Sequence, residues 1–393
     1  MNIKDRLSGN EAVAYAMKQM NLDVVAAFPI TPSTEIPQYF SQYVNNGEVD
    51  TQFVPVESEH SSMSACIGAS VAGGRVATAT SSNGMALMNE MLHIASALRL
   101  PVSLAAVNRA ITGPININCD YSDSMGAKDT GWIQIYAENA QEAYDNFIMS
   151  TRIGEHVDVR LPVMTNQDGF ITSHSLENIE LLDDETVSDF VGYYEPIDYM
   201  LDETTTASFG PYDSPKFLLE HKRQQAQAMM NAKDVIKDVQ EEFYKISGRK
   251  YDIIESYKTE DAERIMVIIG SSAGTAKYAV NELRAKGEKV GLVKIRVYRP
   301  FPAIEIAKEL KNAKIVAVMD RAEGLSGIGG PVFADICASM CNMKDKPFMV
   351  NYIYGLGGRD FKPEDVMAVF GELKSGMDSG QELETYRYHG VRG

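Results

Sequence analysis

Short apolar runs alternate with amphipathic stretches through the first third of the chain. The runs predict strands at about residues 23–28, 51–56, 75–80 and 102–107, and the stretches predict helices at about 32–45, 58–72, 83–97 and 140–153. Residues 157–165 are a candidate for one more strand. Because strands that alternate with helices are joined by right-handed crossovers, the pattern indicates a doubly wound α/β domain with a mostly parallel sheet.

A second alternating block begins near Glu263. Its apolar runs predict strands at residues 265–270, 290–297, 314–320 and 348–355, with helices between and after them. A block of this length is a normal size for a separate domain. The sequence therefore predicts two α/β domains, at residues 1–250 and 251–393.

The segment between the two blocks has a different pattern. Residues 181–215 are acidic and rich in tyrosine, with little periodicity, which indicates an excursion over the surface or across a partner subunit. A long helix follows and extends this part of the first domain to about residue 247. Its apolar stripe consists of Met229, Ala232, Ile236, Val239, Phe243 and Ile246. Since the stripe spans fewer than three heptads, packing within the chain is favoured over a coiled coil.

Charge and composition exclude several classes of partner. The 393 residues carry a net charge of −17, which argues against nucleic acid and anionic membranes. The N-terminus lacks the apolar core of a signal peptide, and no apolar run approaches the roughly 20 residues of a membrane span. A cytoplasmic protein is expected, and an anionic substrate would need a local basic group.

The cysteines and histidines provide no metal-binding motif. The four cysteines include no C-x-x-C pair, so we expect neither an iron–sulfur cluster nor structural zinc in this chain. Cys337 and Cys341 lie one helical turn apart and are interpreted as buried thiols, with half of a metal site as the alternative. The six histidines are scattered. No metal ligand is predicted.

The stretch FPITPS places Thr31 between two prolines directly after an apolar run. Pro32 disfavours helical backbone angles at the preceding residue and is itself favoured at the first helical position, so Thr31 is predicted to cap a helix that begins at Pro32. The same threonine would lie at the carboxyl end of a strand, where open α/β sheets bind ligands. On spacing alone the cap is favoured.

Two further turns follow predicted strands. Glu59 lies at a helix start behind the candidate N-cap Ser58, where the helix dipole favours an ionised carboxylate. Taken alone, Glu59 is more often a capping charge than a catalytic group, and the stretch Ser81 to Gly84 is interpreted as another turn. Glycine-rich turns at residues 270–274, 327–330 and 355–358 fit no nucleotide-binding motif, which favours tight-turn geometry.

Arg109 ends the strand VSLAAVN and precedes a long polar loop. An arginine at that edge can bind a carboxylate through two parallel hydrogen bonds. A salt bridge to Asp120 or Asp123 in the loop explains its position equally well. Loops this long and polar often move over a ligand.

Several segments together resemble the α subunit of the pyruvate:ferredoxin oxidoreductase family. They are FPITPS, VESEHSSMSACIGAS, TATSSNGMALMNEM and NRAITGPININCDYSDSMGAKDTGWIQIYAENAQEA, followed by KGEKVGLVKIRVYRPFP and YGLGGRDF in the second block. The resemblance covers nearly the whole chain and is weakest at residues 181–215. It implies oxidation of a 2-oxo acid, pyruvate, with coenzyme A to acetyl-CoA and CO2, with electrons passed to ferredoxin, in anaerobic metabolism.

The resemblance also implies the fold, the cofactors and the partners. The fold would be a doubly wound domain for the pyrimidine side of thiamine diphosphate, followed by a second α/β domain like the C-terminal domain of transketolase. The family's pyrophosphate motif, GDG with later asparagines, is absent, and the nearest string is Gln167-Asp168-Gly169. A β subunit would therefore supply the pyrophosphate side with Mg²⁺. Further γ and ferredoxin-like δ subunits would complete the heteromultimer, and partner subunits would carry the [4Fe-4S] clusters.

Matched positions acquire roles through the same resemblance. Glu59 resembles the glutamate that hydrogen-bonds the aminopyrimidine ring and so promotes loss of the cofactor's C2 proton. Arg109 and Thr31 resemble the pair that holds the substrate carboxylate. The cofactor ring would lie beside the turn formed by Ser81, Ser82, Asn83 and Gly84.

Two alternatives stay open. A sister enzyme for branched-chain 2-oxo acids or 2-oxoglutarate would keep the same carboxylate clamp, and discrimination by one methylene is worth only about 1–3 kcal/mol. A non-catalytic scaffold subunit would keep the fold while partners perform the chemistry. The scaffold hypothesis predicts that Glu59→Gln leaves the activity of the complex intact.

Overall fold

Two large twisted sheets and one small ribbon organise the chain. The computed structural model describes residues 3–325, 327–380 and 383–392. Its strands are β1 (Ile3–Leu7), β2 (Val24–Ala27), β3 (Gln52–Pro55), β4 (Val76–Thr80), β5 (Ser103–Asn108), β6 (Ile133–Tyr136), β7 (Val163–Asp168), β8 (Glu177–Leu181), β9 (Ile254–Tyr257), β10 (Arg264–Ile269), β11 (Val290–Ile295), β12 (Val297–Arg299), β13 (Ile315–Asp320), β14 (Phe348–Ile353) and β15 (Tyr386–Tyr388).

Helices cover both faces of each large sheet. They are α1 (Gly9–Gln19), α2 (Glu35–Asn45), α3 (Glu59–Val71), α4 (Ser82–Leu87), α5 (Asn89–Ala97), α6 (Ser122–Gly126), α7 (Ala140–Glu155), α8 (Asp184–Val191), α9 (Leu218–Ser247), α10 (Ser272–Ala285), α11 (Ala303–Leu310), α12 (Pro331–Met340) and α13 (Pro363–Ser379). Each sheet is apolar on both faces, and four buried clusters fill the space between the sheets and the helices. This is the layering expected of doubly wound α/β domains.

The first sheet has seven strands in the order β12-β6-β7-β5-β4-β2-β3. All neighbours run parallel except β12, which pairs antiparallel with β6. The predicted parallel sheet is confirmed. Its edge strand β12 nevertheless comes from the part of the sequence that was predicted as the end of a strand of the second block.

The second sheet has six strands in the order β15-β14-β13-β10-β11-β9. Only β9 runs antiparallel to its neighbour, β11. A separate antiparallel ribbon joins β1 to β8. The structure therefore confirms a pair of doubly wound α/β arrangements.

Several sequence expectations need correction. Residues 181–191, which were expected to be irregular, contain the end of β8 and helix α8, whose Val187, Phe190 and Val191 enter the first core. Asp183 caps α8 by accepting a hydrogen bond from the backbone of Thr186. The remaining residues 192–217 form no helix or strand and cross the surface of the chain, where Met200 N donates to Val71 O at 2.8 Å.

The helices and cysteines match the sequence expectations only in part. The predicted helix at 83–97 is two helices, α4 and α5, that meet at Met88. Helix α9 packs most of its predicted stripe against the first core, with Ala232, Ile236, Val239 and Phe243 buried, whereas Ile246 is exposed. The expectation of two buried thiols was wrong, because Cys337 is half-buried and Cys341 is exposed. Among the helices that the structure describes, none is long and apolar enough to cross a membrane.

Candidate functional site

Four predicted site segments meet at one edge of the first sheet. Thr31, Glu59, Ser81 and Arg109 follow β2, β3, β4 and β5 respectively. These four strands are consecutive in the sheet and parallel, so their carboxyl ends share one edge. The edge of a doubly wound sheet is where such folds bind ligands.

Glu59 is a buried carboxylate at the start of α3. Its exposed fraction is only 6%, and the N-cap of the helix is Ser58, whose hydroxyl accepts from Ser61 N. Among the described residues, no side chain or backbone group donates a hydrogen bond to the Glu59 carboxylate. The carboxylate oxygens are not among the fully enclosed atoms that lack a partner, so a ligand that supplies a donor can reach them.

The turn after β4 packs directly against this carboxylate. A Cβ atom added at Gly84 would lie 2.7 Å from Glu59 Oε1, so only glycine allows the close approach. The buried hydroxyl oxygens Thr80 Oγ1 and Ser81 Oγ have no hydrogen-bond partner within the described part of the chain. Gly84 therefore packs against the Glu59 carboxylate and against the Thr80 hydroxyl, whose oxygen would lie 2.4 Å from the added Cβ.

The Asp123 carboxylate holds the backbone of the turn after β4 and the end of β5. Its Oδ2 accepts from both Ser82 N and Arg109 N at 2.9 Å, and its Oδ1 accepts from Asn108 Nδ2 at 3.0 Å. Burial raises the pKa of this carboxyl to about 6. Ser82 adopts a φ of 48°, an uncommon conformation for a residue other than glycine and one that clusters at functional sites.

The Arg109 side chain is buried at the same edge. Its Nη1 donates to Thr31 O at 2.9 Å and its Nε to Asn116 O at 3.1 Å. Among the described residues no carboxylate pairs with this guanidinium, so the alternative of a salt bridge to Asp120 or Asp123 was wrong. The Nη2 group donates no hydrogen bond within the described residues, so part of the guanidinium fork is unused.

The structure corrects the predicted role of Thr31 as a helix cap. Helix α2 begins at Glu35, so residues 31–34 form a turn rather than the first helical turn. The Thr31 hydroxyl is exposed and its backbone carbonyl contacts Arg109. The predicted role in substrate binding stays a prediction.

The polar loop after Arg109 lies between the two sheets. Asn116 Nδ2 donates to Gly357 O at 3.0 Å, and Gly357 N donates to Asp120 Oδ2 at 3.1 Å. Gly358 N donates to Cys119 O at 2.7 Å. The glycine-rich turn at 355–358 therefore has a structural role, as tight-turn geometry predicted.

Sequence reasoning missed a buried cluster that anchors this loop. Arg321 Nη1 lies 2.6 Å from Asp168 Oδ2, and both side chains are almost fully buried. Tyr121 Oη donates to Asp168 Oδ1 at 2.7 Å, and Tyr121 N donates to Arg321 O at 2.8 Å. Asp168 ends β7 and Arg321 follows β13, so a charge at the carboxyl end of an apolar strand was the available signal.

One cluster of acids has the spacing of a metal site. Glu138, Glu142 and Glu255 lie together, but Lys294 Nζ sits among them at 2.5, 2.6 and 3.2 Å. The lysine is 1% exposed. Its ammonium already supplies the positive charge that a cation would bring, so the cluster is an ion-pair network between the sheets.

The residues at the first edge fit the pyrimidine end of thiamine diphosphate. Glu59 offers an acceptor without a donor, and the hydroxyls of Thr80 and Ser81 have no partner within the described residues. Glycine at position 84 lets the Glu59 carboxylate and the Thr80 hydroxyl pack against the turn, since a Cβ there would lie 2.7 Å from Glu59 Oε1 and 2.4 Å from Thr80 Oγ1. A flat ring with a polar nitrogen would supply the donor that Glu59 lacks.

Family models and relatives identify the chain independently. A family described as pyruvate flavodoxin/ferredoxin oxidoreductase, thiamine diphosphate-binding, matches residues 15–241. A second, pyruvate:ferredoxin oxidoreductase core domain II, matches residues 262–366. Pyruvate synthase subunit PorA of Thermotoga maritima is 48% identical over 98% of this chain and 97% of its own length. Ketoisovalerate oxidoreductase subunit VorA of Pyrococcus abyssi is 42% identical over 98% of each chain.

Solved structures agree on the fold. A 2-oxoglutarate:ferredoxin oxidoreductase from Magnetococcus marinus, with 2-oxoglutarate, coenzyme A and succinyl-CoA bound, matches 95% of this chain with a TM-score of 0.72 at 21% identity. The present chain spans 65% of that chain. A split-gene transketolase matches 94% of this chain and 98% of its own, with a TM-score of 0.54 at 12% identity.

The fold and the site thus define an oxidoreductase subunit with a thiamine-diphosphate-binding domain and a second α/β domain. The chain belongs to the pyruvate:ferredoxin oxidoreductase family. The family resemblance and the fold class predicted from the sequence are both confirmed.

Proposed function

We propose that the chain is the α subunit of a pyruvate:ferredoxin oxidoreductase and contributes half of a shared active site. The reaction is oxidative decarboxylation of pyruvate with coenzyme A to acetyl-CoA and CO2, with two electrons delivered to ferredoxin. The observation that carries the proposal is the buried Glu59 carboxylate, which lacks a donor among the described residues and lies against Gly84.

Thiamine diphosphate, when bound, supplies the carbon chemistry of 2-oxo acid cleavage. Glu59 would accept a hydrogen bond from the ring nitrogen that faces it and would hold a proton at that position. The turn at Ser81 to Gly84 would lie beside the ring, and Asp123 fixes that turn through Ser82 N. These groups act by position, because each is held by backbone contacts before any ligand arrives.

Arg109 binds the substrate carboxylate. Two of its donors are fixed on the carbonyls of Thr31 and Asn116, which orients the planar guanidinium. The remaining N–H groups form the fork that matches a carboxylate. The Thr31 hydroxyl, which is exposed and has no hydrogen-bond partner within the described residues, offers a further donor at the same edge.

Partner subunits complete the enzyme in this proposal. A β subunit holds the diphosphate and Mg²⁺, γ and ferredoxin-like δ subunits complete the heteromultimer, and partner subunits carry the [4Fe-4S] clusters. Exposed apolar side chains in the loops after β5 and β13, Ile115 at 73% and Ile328 at 75%, are suited to burial by such partners. A cytoplasmic location and a role in anaerobic metabolism are part of the proposal and rest on the resemblance.

A second candidate is oxidation of branched-chain 2-oxo acids. A ketoisovalerate oxidoreductase subunit is 42% identical to this chain, close to the 48% of the pyruvate synthase subunit. Both substrates present the same carboxylate to Arg109 and differ only in the tail.

The test is to purify the native complex and assay acyl-CoA formation with pyruvate, 2-oxoisovalerate and 2-oxoglutarate. Pyruvate is expected to give the highest kcat/KM, with dye reduction that requires coenzyme A. A higher kcat/KM for 2-oxoisovalerate would transfer the assignment to the second candidate. Purification without a subunit that carries the diphosphate motif would contradict the shared site.

A further inference from the structure

A deep groove lies at the opposite end of the first sheet from the active-site edge. Its volume is about 570 Å³, within the range of small-molecule sites. We call it the Arg99 pocket and define it by Arg99, Arg160, Lys222 and the surface segment 206–211. Leu98, Phe209 and Leu218 provide an apolar wall.

Three cationic side chains, Arg99, Arg160 and Lys222, line this pocket, and they outnumber its acidic side chains. The Arg99 guanidinium donates only to backbone carbonyls, those of Val159 at 2.5 Å and Arg160 at 3.1 Å. Burial lowers the pKa of Arg99, and the neighbouring Arg160 lowers it further. Such repulsion between two guanidinium groups is relieved when an anion binds between them.

The acids in the pocket are too few to balance these cations. Asp198 lies 3.4 Å from Arg160, and Asp213 is engaged by His221 at 2.6 Å. Lys222 Nζ donates to the neutral side chain of Gln225 at 3.0 Å. In a chain with a net charge of −17, a pocket with surplus positive charge is the exception.

Backbone conformation fixes where the two arginines leave the chain. Arg99 and Arg160 adopt φ values of 60° and 43°, in the left-handed region that favours glycine. At Arg99 this conformation ends helix α5, where Arg99 N donates to Ser96 O at 3.2 Å and Leu100 N donates to Ala95 O at 3.1 Å. Both arginines are found on the two turns that lead into β5 and β7.

The pocket is separate from the candidate active site. Arg99 precedes β5, whereas Arg109 directly follows it, and a six-residue strand places them roughly 20 Å apart. In the same way, Arg160 precedes β7 and Asp168 is the last residue of that strand. A ligand in the pocket would therefore contact the amino ends of the two strands whose carboxyl ends carry Arg109 and Asp168.

We propose that the Arg99 pocket binds a small phosphorylated ligand of nucleotide size. Two guanidinium groups and an ammonium match a phosphate ester or diphosphate, which carries more than one negative charge and accepts paired hydrogen bonds. The apolar wall suits a ring or alkyl portion of the same ligand. The proposal does not depend on the proposed catalytic function.

Calorimetric titration of the full chain with ADP tests the proposal, with pyrophosphate and adenosine as separate probes. ADP should bind more tightly than pyrophosphate, and adenosine should bind weakest. Arg160→Gln and Lys222→Gln should each weaken ADP binding about tenfold or more, as expected when one charged hydrogen-bond partner is lost. Added thiamine diphosphate should leave ADP binding unchanged.

Arg223→Gln is the matched control, because Arg223 is exposed on the same helix and donates to Gln227 rather than into the pocket. It should keep wild-type affinity. Thermal unfolding of each variant separates loss of binding from loss of fold. If Arg160→Gln does not fold stably, the binding affinity of Lys222→Gln decides the test. Absence of ADP and pyrophosphate binding at millimolar concentration, or equal affinities in wild type and Lys222→Gln, would overturn the proposal.

Discussion

The carboxyl edges of the two sheets use similar residues for opposite purposes. At the first edge, Glu59 is buried beside Gly84 and has no donor among the described residues. At the second edge, Asp320 is buried beside Gly330, and its carboxylate accepts from Val332 N at 2.8 Å and Phe333 N at 3.1 Å. Asn351 Nδ2 donates to it as well, at 2.8 Å.

The difference shows what distinguishes a ligand site from a structural turn. Both edges combine a strand end, a glycine and a buried carboxylate, so the sequence pattern does not separate them. The number of donors to the carboxylate separates the two edges. Buried polar groups without a partner are costly and are retained where a ligand binds them. The comparison predicts that mutations at the first edge reduce activity and that mutations at the second reduce stability.

Glu59→Gln is expected to have the largest effect. The assembled complex should lose about 100-fold to 10,000-fold in acyl-CoA formation, the range for a positioned proton-transfer partner. The isolated chain should unfold at the same denaturant concentration as wild type or a higher one, since a buried charge is removed. Glu57→Gln, on an exposed side chain two residues away, serves as the control. Full activity of Glu59→Gln would favour the scaffold hypothesis.

Arg321→Met should destabilise the fold by about 3–5 kcal/mol, because it leaves the Asp168 carboxylate buried without its ion-pair partner. Denaturant unfolding of the purified chain measures this loss. The pair of exposed Lys374 and half-buried Glu288, at 2.7 Å, provides the control. Lys374→Met should cost less than about 1 kcal/mol. Equal costs for the two variants would contradict the structural role of the buried pair.

Asp320 should make stability depend on pH. Burial raises its pKa in the folded chain to about 7, whereas the unfolded value is near 3.9. The folded state therefore holds the proton between about pH 4 and 7 while the unfolded state releases it, so stability falls as pH rises through that window. The difference in unfolding free energy between wild type and Asp320→Asn should fall on the order of 1 kcal/mol per pH unit there. A difference that is independent of pH would disprove this assignment.

Arg109→Lys should have the smallest effect of the four. Lysine keeps the charge but loses the fork, so KM for the 2-oxo acid should rise about tenfold while thiamine diphosphate affinity is unchanged. Arg109→Ala should raise KM further. Steady-state kinetics of the complex provide the measurement, and unchanged kinetics in both variants would exclude the carboxylate clamp.

Local patterns were sufficient for most of the parallel sheets and insufficient for the contacts between them. The apolar runs predicted β2, β4, β5, β10, β11, β13 and β14 within a few residues. Strand β1 was missed because its sequence IKDRL is largely polar and its partner β8 lies far along the chain. Helix α8 was missed although Val187, Phe190 and Val191 follow helical spacing, because its acidic composition hid the pattern.

The candidate site was likewise predicted in part from local pattern. Sequence position identified Glu59, Arg109 and the turn after β4 as strand-end residues, and the family resemblance gave them roles. The contacts of Asp123 and the pair of Asp168 with Arg321 depend on tertiary structure, and the latter two residues are 153 positions apart in the sequence. Periodicity reports which face of an element is apolar but not which distant strand end lies opposite.

Strand β12 limits how the protein can be divided. Residues 297–299 pair with β6 and close one side of the first sheet, although most of the residues around them belong to the second. A fragment that ended at residue 250 would expose the hydrogen-bonding groups of β6 as a free edge, which invites aggregation. Gene dissection would therefore yield two poorly soluble pieces, and coexpression of both halves is the practical route to a split version of this subunit.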